Sequence, residues 1–257
     1  MDAQTIYQHH RKAALQVQRA LFASRKVGTE RSLPRGRLDS TRLHRVALGE
    51  TKVFQRKVEV PAVSASVCLL VDHSLSMNDS VGAACRYDVA VAAAMVLAEA
   101  LQVPGVRTQV IAFAEGDGYH DYALIHHPLQ DYGQRFDAKQ IKRESDKVRG
   151  AVNGNSDGET LAIAHADMTR ETSKRKIIII ISDGCPRSAA AYQGGYMPAE
   201  DYTKQVIEMI EADPSVELHA LGIGDFTNPG YTNATLADDP DQLSDALLAL
   251  VAGLAKH

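Results

Sequence analysis

Residues 66–76 read Ser66-Val67-Cys68-Leu69-Leu70-Val71-Asp72-His73-Ser74-Leu75-Ser76, five apolar residues running directly into a short polar loop. An apolar run of that length, bounded by turn-forming residues, predicts a strand buried on both faces, as in a parallel sheet covered by helices. The pattern recurs along the chain. Apolar runs at Val106 to Phe113, Ile177 to Ile181 and Val216 to Ile223, with weaker ones at Ala123 to Ile125 and Tyr231 to Leu236, read as further strands. Between them, Arg86 to Leu101, Glu159 to Thr172, Ala199 to Ala212 and Pro240 to Ala255 carry apolar residues at spacings of three and four, which predicts helices. Strands alternating with helices define an α/β unit with a mostly parallel central sheet and helices on both faces. Asp137 to Val152, with its alternating charges, reads as a more polar helix or lid.

Upstream of this unit the pattern changes. Ile6, Ala13, Ala14, Val17 and Leu21 fall at roughly helical spacing and Gly28 follows as a stop, so residues 3–26 predict an amphipathic helix. Thr29 to Arg37 reads as a loop, Asp39 or Ser40 as the cap of a short helix through Leu48 that ends at Gly49, and Lys52 to Val60 as an extended segment. A boundary near Pro61 separates a basic helical segment, 1–61, from the α/β domain, 62–257. Residues 1–60 hold 13 Lys and Arg against 5 Asp and Glu, a balance of +8, whereas the whole chain holds 28 against 32, or −4, leaving −12 for the rest. A basic head on an acidic body suits nucleic acid or an anionic membrane surface, and equally an acidic protein face or the chain's own acidic domain. Nucleic acid is a weaker fit, since the arginines are dispersed and only Tyr7 and Phe54 offer stacking surfaces.

Composition excludes several classes. The chain of 257 residues is 45% hydrophobic and 23% charged, enough to bury a sizeable core. No apolar run approaches the roughly 18 residues of a membrane-spanning helix. Three cysteines without a CxxC pair indicate neither a zinc clip nor a disulfide framework. With no apolar signal segment at the start, a reducing, cytoplasmic setting is expected. There is no GxxxxGK[ST], so ATP is not bound by a P-loop, and Gly222-Ile223-Gly224 reads as a strand-end turn rather than a dinucleotide fingerprint.

In an open α/β sheet, ligands gather beyond the carboxyl ends of the strands. Asp72-x-Ser74-x-Ser76 follows the first strand of the domain, Ser182-Asp183-Gly184 follows the Ile177 to Ile181 strand, and Asp157-Gly158-Glu159-Thr160-Leu161 precedes a helix. All three supply hard oxygen donors, the type preferred by Mg²⁺, Mn²⁺ or Ca²⁺. One carboxylate and two hydroxyls on a tight loop make half an octahedral shell, with Asp183 holding the ion directly or through water. The competing reading is that Asp72, Ser74 and Ser76 merely satisfy loop and helix amides. Asp72, His73 and Ser74 are too close in sequence for a nucleophile, base and orienter chain, and no GxSxG elbow exists. His120, His126 and His127 near Asp121 suggest either a soft metal site or a hairpin edge, and Cys185 either a reactive thiol or a small filler.

The pairing of DxSxS with Ile181-Ser182-Asp183-Gly184 resembles the metal-ion-dependent adhesion site of von Willebrand factor A domains, and implies their Rossmann-like fold. It also implies Mg²⁺ or another divalent cation at Asp72, Ser74, Ser76 and Asp183. The family's third element is a Thr in a Gly-Gly-Thr-x-Leu context. Here alignment on Leu161 puts Glu159 at that position, where it either ligates the ion or turns away to cap its helix. A carboxylate there would hold the ion more tightly and reduce its need for a partner's carboxylate. The Asp-Gly-Glu-x-Leu version resembles the von Willebrand A domain of the T subunits of aerobic cobaltochelatase. The similarity runs over residues 10–255, through Gly36-x-Leu38-Asp39-x-x-x-Leu43-x-x-Val46, Val53-Phe54, Arg175 to Pro186, Tyr202 to Glu211 and Val216 to Gly224. It implies a non-catalytic subunit, in cobalamin biosynthesis, that couples an AAA+ ATPase subunit to a large subunit inserting cobalt into a corrin ring, in an assembly that can include an oligomeric ring. The alternative is an adaptor for a MoxR-type AAA+ ATPase that remodels another client or a viral assembly.

Overall fold

The computed structural model describes residues 1–22, 27–59, 64–116, 123–149, 154–184 and 198–254. In chain order its elements are α1 (Ala3–Phe22), β1 (Val27–Leu33), β2 (Arg37–Leu38), a 3₁₀ helix (Ser40–Leu48), β3 (Phe54–Glu59), β4 (Ala65–Asp72), a 3₁₀ turn (Leu75–Asn78), β5 (Ser80–Val81), β6 (Ala84–Cys85), α2 (Arg86–Ala100), β7 (Val106–Glu115) and β8 (Leu124–Gln130). There follow α3 (Ala138–Val148), α4 (Asp157–Arg170), β9 (Arg175–Ser182), α5 (Ala199–Glu211), β10 (Glu217–Ile223), β11 (Ala234–Ala237), a 3₁₀ turn (Pro240–Gln242) and α6 (Leu243–Leu254). They form two compact units, 1–21 with 64–257, and 22–63.

The larger unit is built on a six-stranded sheet of order β11-β10-β9-β4-β7-β8. All its pairings are parallel except β7 with β8, which closes one edge as a hairpin. This is the expected α/β architecture. Every residue of β4 is buried, which explains why it reads as a continuous apolar run rather than an alternating one. On one face Cys68, Leu70, Ile178, Ile180, Leu218 and Ala220 pack under Leu161, Ala164 and Met168 of α4 and Val206, Ile207 and Ile210 of α5. Burial pushes the Cys68 thiol up to about 12, so it serves as apolar packing. Helices α2 and α6 pack on strands of the same sheet, and thirteen of the fifteen residues of α2 are buried. Such an all-round apolar helix needs a second cover, and α1 supplies it. Tyr7 Oη donates to Glu99 of α2 at 2.8 Å, Arg11 pairs with the same carboxylate, Gln18 donates to the Ala100 carbonyl, and His10 meets Ser244 of α6 at 2.7 Å.

The smaller unit departs from the expected helical segment. Asp39 does cap a helix, accepting from the Thr41 amide, and Gly49 ends it at φ 84°, but that helix is 3₁₀. Thr29 to Arg37, read as a loop, lies largely in strands. β1 and β2 both pair antiparallel with β3 in a three-stranded sheet of order β1-β3-β2. The register of β1 shifts between Glu30 and Leu33, where Ser32 takes φ 62°, and this bulge breaks the alternation by which a strand is recognised. Residues 22–63 hold ten Lys and Arg against four Asp and Glu, so most of the basic excess belongs to this sheet unit and not to α1.

Gly158, in the first turn of α4, shows how closely the helices approach beside the sheet end. A Cβ there would lie 2.7 Å from Cδ1 of Tyr202 and 3.0 Å from Oγ1 of Thr203, both on α5. Gly158→Ala is expected to lower stability by about 1–3 kcal/mol through overpacking, beyond the gain of up to about 1 kcal/mol in helix propensity. Thermal melts check this, and a raised melting temperature would contradict the packing.

Candidate metal centre

The register of the sheet sets the site. Val71 of β4 lies opposite Ile181 of β9, so Asp72 and Ser182 emerge together at the carboxyl edge. Asp72 is fully buried. Its Oδ1 accepts from the Ser74 amide at 2.7 Å, bending the loop back toward the strand end, and its Oδ2 accepts from Ser182 Oγ at 2.8 Å and Asn155 Nδ2 at 3.2 Å. Asn155 is brought there by the end of β7. The Glu115 amide donates to the Gly154 carbonyl at 2.9 Å, and the Ser156 hydroxyl donates to the Glu115 carboxylate. Ser74 and Ser76 hydroxyls lie 3.1 Å apart on the same loop.

Asp183 is also fully buried, and its Oδ2 is paired with Arg86 at 3.0 Å. The Gly184 that follows adopts φ 72°, and a Cβ there would sit 2.2 Å from the Thr227 carbonyl oxygen, so the crossing backbone demands the glycine of the Ser-Asp-Gly triplet. Asp157, at the start of α4, is 1% exposed, and neither of its carboxylate oxygens makes a hydrogen bond of ordinary geometry among the described residues. Burial, together with the charges of Asp72, Asp183 and Glu159, pushes its pKa well above the carboxylate range. Burial, then the charge of Asp183, pushes Asp72 up to about 6.

Glu159, the acid expected at the third ligand position, lies two residues further along α4 and is less buried than Asp157. The deeper third carboxylate is therefore Asp157. A helix start explains the difference, because residues 157 and 159 leave the first turn in different directions. Among the described residues no three His, Cys, Asp or Glu side chains converge as a ready-made metal cage. The donors present nevertheless suit a small hard cation. Buried carboxylates repel one another, one of them makes no hydrogen bond of ordinary geometry among the described residues, and two hydroxyls stand on the Asp72 loop, a donor set of the kind that Mg²⁺ or a similar ion takes together with water.

The other candidates separate. His73 is buried, with Nδ1 3.0 Å from the Val71 carbonyl and Nε2 2.7 Å from Ser145 Oγ, which in turn meets Tyr87 Oη at 2.7 Å. Burial pushes this ring down to about 4, and it ties the loop to α3 and α2 rather than serving as a base for Ser74. His126 reaches Thr160 of α4 while its neighbour His127 reaches Glu144 of α3, so successive residues of β8 face opposite sides and share no metal. His120, Asp121 and Cys185 lie outside the described residues. Sequence reasoning passed over Asn155 and Arg86, and counted Ser182 within its triplet without giving it the role of holding Asp72. For Arg86 a signal existed, since a cation in the first turn of a helix opposes the helix dipole and calls for a nearby acid.

These shifts give opposite pH dependences. A carboxyl raised in the folded state loses its proton later than in the unfolded chain, so Asp72 removes stability as pH rises from about 4 to about 6. His73, depressed in the folded state, removes stability as pH falls from about 6.5 toward 4. Without divalent ions, Asp72→Asn removes the charge but sets an amide donor against the donors that Asp72 accepts from, so it is expected to abolish the loss of stability between about pH 4 and 6 without raising stability overall, and to leave the acid side of the curve, governed by His73, in place. Melts from pH 4 to 8 in chelator measure this; a variant that keeps the wild-type loss between about pH 4 and 6 contradicts the assignment to Asp72.

Residues 146–256 match the family described as the cobalamin biosynthesis protein CobT VWA domain, a segment that includes Asp157, Glu159 and Asp183 but neither the DxSxS loop nor residues 22–63. Among solved structures, the vWF domain of the type V pili tip protein Mfa5 from Porphyromonas gingivalis is similar at TM-score 0.54 and 12% identity, over 76% of this chain and 96% of that one. The PilB minor pilin from Streptococcus sanguinis is similar at TM-score 0.56 and 10% identity, over 80% of this chain and 65% of that one. The pilus adhesin SpaC from Lactobacillus rhamnosus GG is similar at TM-score 0.50 and 17% identity, over 77% of this chain and 30% of that one. At these identities the likeness is one of fold. The sheet order, the helices on its faces and these matches together give the chain the fold of a von Willebrand factor A domain, and over residues 146–256 it resembles the CobT VWA domain.

Proposed function

We propose that this chain is the non-ATPase von Willebrand A subunit of a cobaltochelatase-type complex, coupling an AAA+ ATPase to the insertion of cobalt into a corrin ring by a separate large subunit. The observation that carries the reading is the CobT VWA match over the segment that supplies two of the three buried acids and Glu159. Cobalt would be the substrate of the complex and not the ion of this site.

Asp72, Ser74, Ser76 and Asp183 would hold Mg²⁺ or another divalent cation, with Asp157 as the third acid and Glu159 as an outer charge. The bound ion would supply positive charge to a buried acidic cluster. Asp72 fixes the loop through the Ser74 amide, and Asn155 and Ser182 hold its second oxygen in place. With carboxylates of its own beside the ion, the site would have less need of an external one, which favours a structural or switching role over an adhesive bridge. The basic 22–63 unit suits an acidic face of the ATPase ring.

A second reading is an adaptor for a MoxR-type AAA+ ATPase acting on another client or a viral assembly, since the CobT match spans residues 146–256 and the same fold occurs in proteins outside chelatases. Co-purification of the tagged protein with AAA+ proteins from its native host, with and without Mg²⁺ and ATP, tests both. Recovery of a chelatase ATPase and large subunit, lost with Asp72→Ala, is expected. Recovery of an AAA+ protein without the large subunit supports the adaptor, and recovery of neither overturns both. In Mn²⁺ titrations, Asp157→Asn is expected to weaken binding about tenfold or more and Glu159→Thr by less, with the reverse order restoring Glu159 as the ligand.

A further inference from the structure

Arg86 occupies a position that ordinary helix energetics disfavours. It is the first residue of α2, where the helix dipole is positive, yet its side chain is only 11% exposed. What holds it there is a two-sided clamp. Nη1 lies 3.0 Å from Oδ2 of the buried Asp183, and Nη2 lies 3.0 Å from Oδ2 of Asp225, whose side chain is 97% exposed. The guanidinium passes over Gly224, where a Cβ would fall 3.0 Å from Nε. One planar cation thus spans an acid of the site and an acid of the surface, a geometry that a point-charge ammonium cannot reproduce.

We propose that Arg86 is the built-in counter-ion of the acidic cluster and competes with a divalent cation for Asp183. When an ion binds, the arginine gives up Asp183 and keeps Asp225, so occupancy of the buried site is registered at the exposed end of β10. The inference rests on the reading that the cluster takes a divalent ion. Its charge logic is simple. Asp183 satisfied by a guanidinium is a poorer ligand, and a fixed positive charge beside the site repels an incoming dication. Asp225 lowers the cost of release, because it retains the arginine that would otherwise be left at a helix N-terminus without an acid.

The test is Mn²⁺ binding to the full chain, by calorimetry and by ion-dependent melting, for the wild type, Arg86→Gln, Arg86→Lys, Asp225→Asn and the double variant Arg86→Gln/Asp225→Asn. Arg86→Gln is expected to melt lower than the wild type in chelator and to bind Mn²⁺ about tenfold more tightly. Arg86→Lys, which keeps the charge and protects against a folding failure of the glutamine variant, is expected to fall between the two. Asp225→Asn is expected to weaken binding several-fold, and the effect is expected to vanish in the Arg86→Gln background. Binding by Arg86→Gln that is equal to or weaker than that of an ion-binding wild type overturns the competition alone. A loss at Asp225→Asn that persists without Arg86 overturns the hand-over. Absence of binding in every variant overturns the ion reading and this inference together.

Discussion

Burying carboxylates next to one another is expensive, and the arrangement of this domain at one edge of its sheet is a response to that expense. Asp72 and Asp183 leave adjacent parallel strands, whose side-by-side register gives neither of them access to bulk water. Asp157 joins them from the start of a helix. Each neutralising contact comes from a different element. Ser182 and Asn155 serve Asp72, Arg86 serves Asp183, and Asp157 is left without an ordinary hydrogen bond among the described residues. A fold that tolerates such a cluster retains in it an affinity for positive charge.

The same constraint explains the glycines and the helix placement near the edge. Gly184 lets the chain from β10 cross directly over the Ser-Asp-Gly turn, and Gly158 lets α5 close on the first turn of α4. Both approaches exclude water from the acids. The His73, Ser145 and Tyr87 relay anchors the opposite side of the DxSxS loop to two further helices. The loop is therefore held from both ends, which fixes its hydroxyls in place beside the acids.

The sheet of the larger unit was legible because its strands are buried on both faces, so that apolar runs such as Ile177 to Ile181 stand out against amphipathic helices. The placement of Asp72 and Asp183 at the carboxyl edge of the sheet was legible because Asp72 and the Ser182-Asp183 pair end such runs. The third acid was less so, since Asp157 and Glu159 sit in the same helical turn and burial, which separates them, depends on how α4 is rotated toward the sheet. The small sheet of residues 27–59 was read as a loop and a helix with only its last strand foreseen. Its pairings join residues as distant as Val27 and Glu59, and its first strand is bulged, so local periodicity carries little of it. Arg86 escaped for a related reason, as its partners lie 97 and 139 positions away.

The 22–63 unit is an insertion and not a tail, for α1 before it and β4 after it belong to the same body. A unit inserted in this way is tethered twice, so a single cut in the chain on either side of it leaves it joined through the other, to α1 or to β4, the strand whose far end is Asp72.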